Sequence, residues 1–220
     1  MKISSGMKYT SFIRNLLLVF ILTAATCLLI WLTGRYILTV NFYATGGQPV
    51  SEDPEQAAAV MTSIRQWVYL FSALYVLVKL LAITGLLSTA LYLNNCRVAF
   101  GKVFTVVAAS EYIFLVPAAL KICLFRHVFP KGSLDDWHRF YVLSVLSLAR
   151  NVPADWIYPL QALNVFEVMY WFILAFGLYK IAGMTYDRSL RLVVTAYVPA
   201  LVIWIVAAVF SSLLLFPQTG

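Results

Sequence analysis

The sequence predicts an all-α protein, a polytopic membrane helical bundle of five transmembrane helices plus one interfacial amphipathic helix. Three observations lead there. The 220 residues are 62% hydrophobic and only 11% charged, with a mean hydropathy of +0.86; a soluble domain of this size has no core that could hide so much apolar surface. The apolar residues gather into five runs, each long enough at 1.5 Å per residue to cross a hydrocarbon layer of about 30 Å. The basic residues stand beside those runs. A net charge of +7, from 16 basic and 9 acidic residues, therefore reads as a positive-inside bias and not as a nucleic-acid surface. The whole of 1–220 is expected to be one integral membrane domain.

Span one covers about 12–40. Lys2, Lys8 and Arg14 before an apolar run imitate a signal peptide. The run continues through Cys27 to Leu32 with no small-residue cleavage site, too long for a signal core, so the segment reads as an uncleaved span. Trp31, Tyr36, Phe42 and Tyr43 form an aromatic belt at its far end, and Arg35 can snorkel there. Residues 41–65 form the first loop, broken by Gly46, Gly47, Pro49 and Pro54. Its acids Glu52, Asp53 and Glu55 suit a solvated turn better than a cation site. From Glu55 to Arg65 the chain is expected to begin a helix that leads into span two.

Span two covers about 66–93 and carries Lys79 near its middle. A basic connector, Asn94 to Lys102, leads to span three at about 103–125, which carries Glu111. Pro117 within that span frees the carbonyl of residue 113 and predicts a kink. Lys121, near the far end, can snorkel. The second loop, Arg126 to Tyr158, has a capping-box start at Ser133 and Asp136. Leu134, Trp137, Tyr141, Val145 and Leu148 then fall on one face, which predicts an amphipathic helix over about 134–150, lying in the interface or dipping into the bundle as a lid. Pro153 and Pro159 are expected to end it. Span four covers about 159–182, with Glu167 two turns inside it. Span five covers about 190–216, with Pro199 within it.

With the N-terminus inside, the inner segments hold eight basic residues and one acid, Asp187; the outer segments hold five basic residues and six acids. That count predicts an N-terminus in the cytoplasm, a C-terminus outside, and the bacterial cytoplasmic (inner) membrane as location. An odd number of spans argues against a duplicated two-fold transporter.

Charges deep in a span are costly and need partners or water. Lys79, Glu111 and Glu167 therefore form the candidate site, a buried polar cluster. Lys79 has reach for either acid. The cluster reads as a structural clamp, or as part of an ion or lipid headgroup site. Pro117 and Pro199 are hinge candidates, although packed kinks are the commoner use. Asp135, Asp136 and His138 do not converge as ligands, so no metal is expected, and no cofactor either. Cys27, Cys96 and Cys123 match no metal or redox spacing. No nucleophile elbow, zinc-protease motif or phosphate loop occurs, so the chain is expected not to be an enzyme.

Two stretches resemble a known family. Cys96-Arg97-Val98-Ala99-Phe100-Gly101-Lys102 running through Val103-Phe104-Thr105 to Ser110 is similar to the matching segment of prokaryotic members of the Ypt-interacting protein (Yip) family. Leu163-Asn164-Val165-Phe166 through Leu178, Ile181, Gly183 and Met184 resembles that family's fourth span and following turn. The resemblance covers about residues 66–216 and implies a five-span membrane fold. Eukaryotic relatives carry a long N-terminal region linked to GTPase contact; only about 11 residues precede span one here, so that contact does not carry over and no functional residue transfers. The expected function is a non-enzymatic scaffold or accessory subunit that contacts membrane lipids, a membrane-protein partner or a second copy, with no nucleic acid. The alternative is a small transporter or channel subunit with a polar path through Lys79 and Glu111 or Glu167.

Overall fold

Each apolar run folds as a helix, because a backbone in lipid must satisfy its own hydrogen bonds. The computed structural model describes residues 3–38, 54–130, 132–149 and 152–215. In chain order these hold α1 (Ile3–Tyr36), α2 (Pro54–Leu93), α3 (Phe100–Ser110), a 3-10 turn (Glu111–Phe114), α4 (Leu115–Val128), α5 (Leu134–Arg139), a second 3-10 turn (Val145–Leu148), α6 (Ala154–Ala162), α7 (Val165–Ala182) and α8 (Tyr186–Leu215). Five segments are long and apolar enough to cross a membrane: Phe12–Tyr36, Ser63–Leu93, Phe100–Val128, Val165–Ala182 and Tyr186–Ser211. The third is α3, its 3-10 turn and α4 taken together. Among the described residues there is no β-strand, only an isolated bridge between Ser144 and Asn164.

α7 is the hub. Phe166, Tyr170, Leu174 and Leu178 recur every four residues and are buried, with Glu167 and Ala175 beside them, a helical stripe facing the bundle. Tyr170, Leu174, Ala175 and Leu178 pack with Leu80, Leu87, Val103, Val107 and Val193 from α2, α3 and α8. Phe172, Ile173 and Phe176 face outward, as a lipid-contacting surface would. Gly177 brings α7 hard against α3: a Cβ there would collide with the Val106 side chain, whose Cγ2 would lie 3.1 Å away. Gly183 ends α7 in the left-handed conformation at φ 65°, which a residue without Cβ adopts freely.

The connector end of the bundle is fastened by polar contacts. Asn15 donates to the Gly101 carbonyl at 3.0 Å, Thr105 donates to Asn15 Oδ1 at 2.5 Å, and Arg188 donates to the Asn94 carbonyl at 3.1 Å. Pro117 lies in the first turn of α4. The chain tightens to 3-10 geometry at Glu111–Phe114 just before it, where the proline ring would otherwise press on the preceding turn. Pro199 lies inside α8, and the helix continues through it.

The second loop differs from expectation. The Ser133 cap is present: its hydroxyl accepts from Asp136 N at 3.2 Å, and Asp136 Oδ2 accepts from Ser133 N at 2.7 Å. The helix, however, stops after six residues at Arg139 instead of reaching 150. Phe140 leaves in extended geometry and packs at 5.8 Å from Phe125 and 5.7 Å from Phe129, while Trp137 meets Phe125 edge-on at 5.0 Å. Each such pair is worth about 0.5–1.5 kcal/mol, more than a marginal short helix gains by continuing. Leu143 then turns the chain at φ 55°. In consequence Leu146 is buried, while Val145 and Leu148 are exposed, the reverse of the single-face pattern. Pro159 falls within α6 and does not end a helix before it. Span four begins at Val165, not near 159, because Asn164 breaks the chain at φ −137° and ψ 163° and caps the new helix. The side chains of Phe42, Tyr43, Glu52, Asp53, Glu55, Asp135 and Arg150 lie outside the described residues.

Candidate functional site

Of the three charges singled out above, two make a direct ion pair and the third takes its hydrogen bonds from other side chains. Lys79 of α2 pairs with Glu111 of the 3-10 turn, Nζ to Oε2 at 2.9 Å. The tightened backbone at Glu111 follows from Pro117 and turns its carboxylate toward α2. The Lys79 ammonium also lies 4.3 Å from the centroid of the Phe114 ring and 5.9 Å from that of Tyr170, contacts that favour a cation in a dry site. The Lys79 side chain keeps 26% of its exposure and Glu111 keeps 9%, so the lysine is the member that meets open space.

Glu167 is held elsewhere. It stands in the first turn of α7, where the helix dipole favours a carboxylate. Its backbone N–H donates to the Asn164 cap at 2.9 Å. Its Oε1 accepts from the Tyr197 hydroxyl at 2.8 Å and from Trp171 Nε1 at 3.1 Å. Glu167 thus joins α7 to α8 through Tyr197, and its direct partners do not include Lys79. Between the two acids stands Tyr170, fully buried, its ring 5.0 Å from Phe114 and 5.4 Å from Tyr197. The Tyr170 hydroxyl lies beside the Glu111 carboxylate, but neither it nor Glu111 Oε1 completes a hydrogen bond.

The Lys79–Glu111 pair forms part of the wall of a cleft of about 580 Å³ between α1, α2 and α4. Most of the lining is apolar, including Leu29, Ile30, Val68, Val76, Leu115 and Ile122. Arg65, Lys121 and Trp137 also line it, and they stand toward the opposite end. Arg65 is 14 residues before Lys79, about 21 Å along α2. Its guanidinium lies across Gly34 of α1, 3.7 Å from where a Cβ would sit. Lys121 stacks over Trp137 at 4.4 Å and lies 5.4 Å from Tyr141, where free snorkelling was expected. Burial pushes the Tyr141 phenol above its ordinary range, so this hydroxyl stays neutral.

Sequence reasoning finds the ion pair's members but not the aromatic groups around them. Tyr197 carried a signal, a hydroxyl deep in an apolar span that must find a partner. So did Asn164 with Glu167 three residues later, the spacing of a helix cap and its N3 acid. Comparison with known proteins adds no relative: no family model matches the chain, and no curated protein or solved structure matches it either.

Proposed function

We propose that this chain is a non-enzymatic integral membrane protein, a scaffold or accessory subunit of Yip-like architecture, which takes hold of a partner from the bilayer in the cleft between α1, α2 and α4. The observation that carries the reading is the cleft itself: an apolar space walled by three spans, about 580 Å³ in volume, with the Lys79–Glu111 ion pair at one end. Sites of that size and lining hold small ligands. The Yip-like architecture enters on the five-span pattern, and a cytoplasmic N-terminus in a bacterial inner membrane enters on the charge count.

The transport reading asks for Lys79, Glu111 and Glu167 along one wet path. Glu167 is engaged by Tyr197 and Trp171 and is not on the cleft, which favours the binding reading. One observation keeps transport as the second reading: Glu111 Oε1 is without a partner at the cleft's deep end. Reconstitution in liposomes separates the two. Under the binding reading the purified protein moves no ion or solute above empty vesicles, and the double variant Lys79→Leu/Glu111→Leu behaves the same way. Flux that the double variant abolishes, with insertion intact, would replace the binding reading by the transport one.

A further inference from the structure

The cleft has a charge pattern as well as a shape. Its lining holds three cations, Arg65, Lys79 and Lys121, and one acid, Glu111. Lys79 and Glu111 neutralise each other at the deep end. Among the described residues, Arg65 and Lys121 meet no carboxylate. Lys121 is fixed by rings, which orient an ammonium without neutralising it. The far end of the cleft therefore carries about two uncompensated positive charges, and the wall between the two ends is mostly apolar, with the hydroxyls of Ser72 and Tyr75 among it.

The dimensions match one leaflet. Arg65 and the ion pair are about 21 Å apart along α2, against about 20–22 Å for one leaflet with its headgroup region. A ligand that fills this space has a charged head at the interface and an apolar body reaching toward the bilayer centre. The head is anionic, since Arg65 and Lys121 leave no other complement. A zwitterionic head brings its own cation, which these two residues repel. Another span is excluded by size, because the volume is that of a small-molecule site, about 300–1,000 Å³.

We propose that the cleft binds a phospholipid of net negative charge, its phosphate against Arg65 and Lys121 and one acyl chain running down to the Lys79–Glu111 pair. This rests on the reading of the cleft as the place where a bilayer partner is held. It adds the partner's chemistry and the leaflet it comes from, the one at the Arg65 and Lys121 end.

The test uses the full chain in detergent, with phosphatidylglycerol and phosphatidylcholine of identical acyl chains as probes and native mass spectrometry as readout. Each basic residue near an anionic lipid favours it by roughly fivefold, so the pair predicts retention of phosphatidylglycerol over phosphatidylcholine by roughly 30-fold. Arg65→Gln/Lys121→Gln leaves the core untouched and should bring the ratio close to one. Ala118→Trp places a large ring in the cleft and should release both lipids, compared at equal folded fraction by circular dichroism. A wild-type ratio near one, or a preference that survives in the charge variant, overturns the proposal. If Ala118→Trp still lowers retention of both lipids in that case, the cleft reading stands and only the headgroup assignment fails. Retention indifferent to Ala118→Trp overturns both.

Discussion

Two tyrosines one layer apart make opposite predictions at the residue scale. Tyr197 donates to a buried carboxylate at 2.8 Å, and a hydrogen bond to a charged group is worth about 1.5–3 kcal/mol. Tyr197→Phe should lower stability by that amount in a detergent unfolding titration. Tyr170 carries a buried hydroxyl that completes no hydrogen bond, so Tyr170→Phe removes a desolvated group and should change stability by less than about 1 kcal/mol, in the stabilising direction. Equal losses in both variants would mean that Tyr170 bonds Glu111 in the membrane. The ion pair obeys a related asymmetry. Lys79→Leu strands Glu111 beside Tyr170; breaking a buried pair costs about 3–5 kcal/mol, and because a quarter of Lys79 faces the cleft roughly 2 kcal/mol is expected. Lys79→Leu/Glu111→Leu should recover most of it, read by the same titration. The three charges are legible in the sequence because they interrupt apolar runs. Their pairing is not, because both acids lie within reach of a lysine stem in projection. The choice is made by the rotation of two short segments, the 3-10 turn that aims Glu111 and the Asn164 cap that fixes Glu167 on the α8 side.

At the scale of elements, the close approach of α3 and α7 has a single-residue test. Gly177→Ala puts a methyl group into Val106, and overpacking of this kind costs about 1–3 kcal/mol. Val106→Ala in the same chain should restore most of the loss, because it vacates the space the methyl enters; two additive losses in thermal unfolding would refute the contact. The long apolar runs could be read in advance because length and hydropathy alone force them to be helical in lipid. The second loop could not. Its period-3.6 pattern is real, but it competes with the ring cluster of Phe125, Phe129, Trp137 and Phe140, whose members are contributed by two segments. No local pattern reports a contact between residues as far apart as Phe125 and Phe140. The same applies to the start of α7, where a run that looks continuous from 159 is cut by the Asn164 cap.

For the whole molecule, the span count and the direction of insertion are separate claims. Five spans predict termini on opposite sides; the charge count predicts which side is which. One side carries eight basic residues against one acid, the other five against six, and translocation disfavours the basic side because Lys and Arg near span ends are held in the cytoplasm. The connector between α2 and α3, with Arg97 and Lys102 and no acid, weighs most because it is short and lies at the span ends. A phosphatase reporter fused after Gly220 should be active, and a fluorescent reporter at the same place dark. A second fusion within 94–102 should read as cytoplasmic. If both fusions read as cytoplasmic, a span has been miscounted; if both readings invert, the count holds and the direction fails. The direction in turn sets which leaflet feeds the cleft. With the connector inside, Arg65 and Lys121 face the outer leaflet, so an anionic lipid added to the outer leaflet of right-side-out vesicles should reach the cleft. The same lipid confined to the inner leaflet should not.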